Sequence, residues 1–200
     1  MDGIAWAAGA MAAAKTRLDV AAANLANGST DGYRKSDLRG FLNASGISLQ
    51  RLRDDAQGPL RSTGRPFDLA IAGHGSFRVR TPSGLLQETR GGAFRRDGLA
   101  RLVDGNGRVL MGSAGPVRVP DGAKIAQDGA VTLDGKFLNR IPLPRGSTVH
   151  SGFLEGSNVD AIGEMIDVLS AERSFETAQK VLTSIDQTRE RAASAVGALK

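Results

Sequence analysis

Apolar residues recur with two different periods along the chain, a helical period at both ends and a strand-like period in the middle. Near the N-terminus, Ile4, Met11, Leu18 and Leu25 lie seven residues apart. Small residues fill the intervening positions of this heptad pattern: Ala7, Ala14 and Ala21. Alanine favours helix and permits close approach of a partner. The pattern therefore predicts a helix that ends near Asn27–Gly28, where glycine supplies a C-cap.

The C-terminal segment is also helical in pattern. Its apolar positions follow alternating steps of three and four residues, interrupted at Arg189: Val168, Ala171, Phe175, Ala178, Leu182, Ile185, Ala192, Val196 and Leu199. Polar residues at Ser157–Asp160 are typical of an N-cap. The pattern predicts about 40 residues of helix after this cap, and we expect the two terminal helices to form a coiled-coil-like arm.

The middle of the chain alternates with a period of two from Arg65 to about Pro144. Asp-Gly pairs separate its short apolar runs, among them Arg108–Met111, Val117–Val119 and Val131–Leu133. Because Asp-Gly between alternating segments is a strong hairpin signal, this stretch predicts an antiparallel β-domain. The fold class is thus α+β, divided into an N-terminal helix and signature (1–39), a connector (40–64), the β-domain (65–145) and a C-terminal helix (146–200). A short strand is expected in the connector near Ile47–Leu52.

Composition narrows the chemistry that the chain can support. None of the 200 residues is cysteine, which excludes disulfides, zinc–thiolate sites and thiol nucleophiles. The two histidines, His74 and His150, have no carboxylates at ligand spacing, so we expect no metal site and no cofactor. No serine lies in a nucleophile-elbow pattern, and the aspartates of the Asp-Gly turns are explained by turn formation. The sequence therefore predicts a protein that is not an enzyme.

The net charge of +5 is distributed unevenly. Residues 65–145 hold 13 basic and 7 acidic side chains, whereas residues 151–200 hold 5 basic and 8 acidic ones. One interpretation is a polyanion-binding or nucleic-acid-binding face on the β-domain, formed by six arginines: Arg78, Arg80, Arg90, Arg95, Arg96 and Arg101. The other is a face that is solvated or that pairs with carboxylates between subunits. No apolar run approaches the length of a membrane span, so we expect no membrane insertion.

Three sets of motifs carry a family resemblance. The first is Asn24, Leu25, Ala26 and Asn27, followed by Gly32 and Tyr33; the second is Gly156, Ser157, Asn158 and Val159, followed by Glu164–Met165. The third is the stretch from Gly64 to Phe77 that opens the β-domain. Together these motifs resemble the bacterial flagellar rod and hook proteins of the FlgF/FlgG type, and they fit proximal and distal rod proteins alike.

The resemblance implies a structural subunit of the flagellar basal-body rod. Its terminal helices would pack into an inner tube, with the β-domain outside, and the assembly would transmit torque from motor to hook. The partners it implies are other rod and hook proteins, further copies of the chain and the type III export apparatus, without a cleaved signal peptide. Nucleic acid is not an expected partner. Because isolated helices of this length are marginal, we also expect the terminal helices to order only on assembly.

Overall fold

The computed structural model describes residues 3–43 and 46–197, except for the side chains at 42, 43, 46, 47, 193 and 195–197. The chain divides into two compact units. The first, here the helical unit, comprises Met1–Asn27, Lys35–Asp54 and Val159–Lys200. The second, here the β-unit, comprises Gly28–Arg34 and Asp55–Asn158. The α+β class expected from the sequence is confirmed.

The helical unit contains two long helices and one hairpin. Helix α1 spans Gly3–Ala26 and helix α2 spans Ala161–Gly197, close to the predicted bounds. Asp160 caps α2, since its Oδ1 accepts a hydrogen bond from the Ile162 amide at 3.2 Å. The helices pack against each other.

The hairpin of the helical unit pairs β1 (Ser36–Asn43) with β2 (Gly46–Arg53) in antiparallel register. The short strand predicted near Ile47–Leu52 is confirmed as β2, but its partner β1, which begins at Ser36, was not predicted. The half-buried residues of β2, Leu49 and Leu52, are three positions apart and so point to opposite faces. That spacing hides the period of two in the sequence.

The β-unit contains thirteen short strands among the residues that the structure describes, and every strand pair is antiparallel. Their bounds in chain order are β3 Leu60–Ser62, β4 Leu69–Ala72, β5 Phe77–Arg80, β6 Leu86–Thr89, β7 Arg95–Arg96, β8 Leu102–Val103, β9 Val109–Gly112, β10 Gly115–Pro116, β11 Lys124–Ile125, β12 Ala130–Leu133, β13 Lys136–Arg140, β14 Thr148–Ser151 and β15 Phe153–Glu155.

The largest sheet of the β-unit has the strand order β6-β5-β9-β8-β7, and β10 also pairs with β9. A second sheet has the order β11-β12-β13, while β14 pairs with β4 and β15 with β3. Alternation along β5 places Phe77 and Val79 inside and Arg78 and Arg80 outside. These sheets enclose one apolar core that includes Phe77, Leu110 and Ile141.

One predicted strand is absent from the β-unit. Val117 and Val119 are fully buried, but the Val117–Val119 segment forms only an isolated bridge between Arg118 and Arg101. The Val117 amide bonds to the Leu110 carbonyl and the Val119 amide to the Ala100 carbonyl, so the segment links two different neighbours. The alternating apolar pattern of this segment therefore reflects the burial of its two valines, although the segment does not pair as a regular β-strand.

Candidate assembly surfaces

The heptad positions of α1 lie at its packing face with α2. Ala7, Ala14 and Ala21 are 3–6% exposed, whereas Ile4, Met11, Leu18 and Leu25 are each half-buried. The small residues therefore form the close contact and the larger ones remain partly open. The helices run antiparallel, because Gly3 lies beside Ile185 and Asn24 beside Glu164.

The corresponding positions of α2 show the same division. Ala171 and Ala178 are buried, and the larger residues are half-buried: Val168, Phe175, Leu182 and Ile185. Ala192, one of the positions in the pattern, is exposed. The side chain of Val196 and all of Leu199 lie outside the described residues.

A second apolar face on α2 was not recognised in the sequence. Ile162, Met165, Ile166 and Leu169 are spaced as i, i+3, i+4 and i+7 and are 52–72% exposed. Together with Trp6 of α1, Ile166 and Leu169 line a groove of about 900 Å³ between the helices. The helical spacing of these four residues can be seen in the sequence. It was overlooked because they lie next to the heptad positions of the same helix. This groove and face are here called the apolar groove.

The end of α1 is fixed by the asparagines of the N-terminal signature. Asn24 is 1% exposed; its Nδ2 donates to the Ser36 carbonyl and its Oδ1 accepts from the Ser36 amide, both at 2.9 Å. Asn27 Nδ2 donates to the Ala23 carbonyl at 2.8 Å. Leu25 and Ala26, between them, are half-buried and exposed, respectively. A side-chain amide satisfies both backbone groups of Ser36, which neither an aliphatic nor a carboxylate side chain can do.

A polar cavity of about 430 Å³ in the helical unit lies between the end of α1, the start of β1 and the first turns of α2. Burial raises the pKa of Glu164 above its ordinary value, and the nearby carboxylates Asp167 and Asp37 act in the same direction. Hydrogen bonding to Asn24 and the charge of Lys35 oppose this rise. A hydrogen bond to Asp37 raises the pKa of Lys35 in turn.

The remaining signature residues, except Val159, lie together in the β-unit. Gly32 has φ +70°, and a Cβ at this position would lie 2.3 Å from the Gly91 amide nitrogen. The Tyr33 carbonyl accepts a hydrogen bond from the Asn158 amide, and Asn158 Nδ2 donates to the Ala56 carbonyl. The Gly156 amide donates to the Pro59 carbonyl. Ser157 and Val159 flank Asn158 and are half-buried.

A buried ion-pair cluster joins these chain segments. Arg90 Nε lies 2.7 Å from Glu155 Oε2, and both side chains are 1% exposed. Arg34, whose side chain is 7% exposed, lies 3.6 Å from Glu155 Oε1 and also pairs with Asp55. Arg90 donates further hydrogen bonds to the carbonyls of Gly73 and Gly75, each at 2.8 Å. We call Arg34, Arg90 and Glu155 the buried triad.

Arg90 is therefore wrongly assigned to the exposed arginine face predicted from the sequence. The other arginines of that set are exposed or half-buried, and two of them pair with carboxylates, Arg96 with Asp121 and Arg101 with Asp97. Burial of an arginine follows from partners distant in the sequence, so the local pattern did not reveal it.

Two aspartates of the Asp-Gly turns stabilise the turns in which they lie by accepting hydrogen bonds from nearby amides. Asp97 accepts hydrogen bonds from the amides of Leu99 and Arg101 and from the Arg101 guanidinium. Desolvation acts to raise the pKa of Asp97, but these hydrogen bonds prevail and hold the pKa below its ordinary value. Asp104 is bonded in the same way to the amides of Asn106 and Arg108 and pairs with the Arg108 guanidinium.

Features of other functional classes are absent from the part of the chain that the structure describes. Within residues 3–43 and 46–197, no cluster of three or more histidines or carboxylates could hold a metal ion. Over the same ranges, neither helix combines the length and apolar character that crossing a membrane requires. What the described residues do present is an apolar face on the helices and a β-unit with its own apolar core.

Comparison with known proteins identifies the family of this chain. Residues 4–34 match the family described as "Flagella basal body rod protein", residues 70–133 the "Flagellar hook protein FlgE/F/G D1 domain", and residues 150–195 the "Flagellar basal body rod FlgEFG protein C-terminal". The chain belongs to this family of flagellar rod and hook proteins, which is a structural family and not an enzyme family.

Individual relatives agree with this assignment. The flagellar basal-body rod protein FlgF of Escherichia coli K12 is 31% identical, with 92% of this chain and 94% of the relative aligned. FlgG of Agrobacterium fabrum, also described as a flagellar basal-body rod protein, is 27% identical over 94% of this chain and 96% of its own. The flagellar hook protein FlgE of Brucella abortus is 33% identical, but only over 64% of this chain and 35% of the relative.

Proposed function

We propose that this chain polymerises into the axial rod of the flagellar basal body and transmits torque from motor to hook. The terminal helices would form a coiled-coil-like arm that packs with the arms of neighbouring rod and hook proteins. The observation that carries this proposal is the apolar groove, where four large side chains of α2 are more than half exposed. Such a face is costly to leave in water and marks an interaction surface.

The residues proposed for the contacts are the larger heptad residues of the two helices. They are Ile4, Met11, Leu18, Leu25, Val168, Phe175, Leu182, Ile185, Val196 and Leu199. Those with described side chains are half-buried, so apolar area remains for a neighbour to cover. The alanines between them would keep the helices close, which favours a stiff array.

The proposed organisation places residues 1–39 and 146–200 in the rod helices and their signatures, 40–64 in a connector and 65–145 in an outer β-domain. The two compact units support a broad separation of helices from the central strands. Delivery through the flagellar type III export apparatus, without a cleaved signal peptide, and a position in the rod across the periplasm are part of the same proposal. Family membership supports both.

The experiment compares two substitutions of Leu25 in the bacterium that encodes the chain. Leu25→Asp places a charge on a half-buried apolar position and should abolish rod incorporation and motility while the β-unit stays folded. Leu25→Met keeps the apolar volume and should swim normally. Hydrogen exchange of the β-unit strands checks its folding. Normal swimming of the Leu25→Asp variant would count against the proposal.

A further inference from the structure

Three chain segments of the helical unit meet around one buried carboxyl group, that of Glu164. Glu164 lies in the first turn of α2 and is 8% exposed. Asn24, near the end of α1, hydrogen bonds to Glu164 and also holds both backbone groups of Ser36 at the start of β1. A change in the charge of Glu164 therefore acts on the junction of both helices with the hairpin.

The surroundings of Glu164 favour its neutral form. Asp167 of α2 and Asp37 of β1 add negative charge, and both line the polar cavity together with Glu164. Two cations oppose them: Lys35, which pairs with Asp37 at 3.2 Å, and Arg17 of α1, which lines the same cavity. Burial, the largest cause, and the two carboxylates prevail, so the pKa of Glu164 is raised.

We propose that Glu164 is a pH-sensitive switch of the helical unit, whose protonation stabilises the junction of α1, β1 and α2. A neutral carboxyl group still offers an oxygen to Asn24, and its O–H adds a donor among the neighbouring carboxylates. The polar cavity, at about 430 Å³, is large enough to admit water, so the buried group can exchange its proton with solvent. Protonation thus removes a buried charge and keeps the hydrogen bond that joins the two helices.

The direction of the pH response follows from the raised pKa. In the unfolded chain Glu164 is in water and has its ordinary pKa, whereas the folded unit raises this pKa. As the pH falls, stability therefore rises through the folded pKa, and the gain is complete below the unfolded pKa. Asp97, whose pKa is lowered, responds in the opposite direction. The two histidines of the chain, His74 and His150, belong to the β-unit, whose amides are read separately.

Hydrogen exchange of the intact chain, read on the amides of α1 and α2 from neutral pH to about pH 4.5, tests the proposal. After correction for intrinsic exchange rates, protection of these amides should rise roughly three- to tenfold as the pH falls. Glu164→Gln places a neutral side chain with an acceptor and donors in the same space. At neutral pH it should be protected as well as the unmodified chain is in acid, with little further pH dependence.

The matched control is Glu172→Gln, which changes an exposed carboxylate of α2 outside the polar cavity. This variant should keep the pH response of the unmodified chain. Loss of the response in Glu172→Gln as well would show that the general charge of α2, and not Glu164, produces it.

Two neighbouring substitutions distinguish a switch from a purely structural role. Asp167→Asn removes a negative charge near Glu164 and should move the response of the α1 and α2 amides to lower pH. Lys35→Gln removes a positive charge and should move it to higher pH. A structural defect would lower protection in both variants without moving the midpoint in opposite directions.

Protection that does not rise in acid, including protection that is absent at both ends of the pH range, would overturn the proposal. A Glu164→Gln variant that keeps the pH response, or that is less protected than the unmodified chain at neutral pH, would also overturn it. The outcome is independent of the proposed rod function, because the response is measured on the free chain.

Discussion

Replacing Glu155 with alanine should destabilise the β-unit by about 3 to 5 kcal/mol, the usual cost of removing one partner from a buried ion pair. Glu155 is 1% exposed and lies 2.7 Å from the equally buried Arg90. The substitution leaves the Arg90 charge buried with two carbonyl acceptors but without its carboxylate. The substitution also removes the Glu155 partner of Arg34, but the Arg34 charge keeps its ion pair with Asp55.

Two further variants separate the charge from the hydrogen bonds. The amide of Gly58 donates to Glu155 Oε1 at 3.2 Å, a bond that glutamine can preserve. Glu155→Gln should therefore cost less than Glu155→Ala, by about 1 kcal/mol for that hydrogen bond. Replacing the pair with apolar residues, Arg90→Met with Glu155→Leu, should cost less than Glu155→Ala, because the Arg90 charge is removed together with its partner and Arg34 keeps its ion pair with Asp55.

The assay is hydrogen exchange across a urea series, read on the amides of β4 and β9 in the core of the β-unit. The control is Asp121→Ala, which breaks the Arg96–Asp121 pair, where the Asp121 side chain is 92% exposed. That loss should be less than about 1 kcal/mol, as for other surface pairs. Equal stability of the Glu155→Ala and Asp121→Ala variants would refute the importance of the buried triad.

Three further predictions concern the turns of the β-unit. Gly32→Ala should cost roughly 1 to 3 kcal/mol more than Gly64→Ala, because the two share φ near +70° but only Gly32 would bring a Cβ against backbone atoms; equal melting temperatures would contradict this. Asp97→Asn should lower the melting temperature at pH 7. The folded state lowers the pKa of Asp97, so the stability that Asp97 contributes is present above its unfolded pKa and is lost as the pH falls through its folded pKa. The melting temperatures of the unmodified chain and of Asp97→Asn should therefore converge in acid. A difference in melting temperature that stays constant across the pH series would refute this prediction. Ala100→Gly should stabilise by up to about 1 kcal/mol, since Ala100 has φ +59°, and a lower urea midpoint would argue against strain there.

Local patterns in the sequence were sufficient for the helices and most of the β-unit. The heptad spacing of α1 and the Asp160 cap of α2 depend on neighbours within a few residues, so their bounds could be predicted. The hairpin β1–β2 was predicted only in part, because Leu49 and Leu52 do not alternate. Its packing against α1 depends on tertiary contacts.

The candidate site was predictable where its pattern was helical and not where it depends on distant partners. The heptad residues of both helices could be found by spacing, and the exposed face of α2 has a period that could have been found too. Arg90 could not, since the residues that bury it come from other parts of the β-unit, including Glu155 and Gly73. Arginine is usually exposed, which made the surface assignment the natural one.

The most direct test of the central claim is the location of this chain in intact basal bodies. Cryo-electron microscopy of basal bodies purified from the native bacterium should show density for both units in the rod, with the helices innermost and many copies around the axis. Deletion of the gene should leave basal bodies with an incomplete rod and no hook. A complete rod and normal hook in the deletion strain would contradict the account.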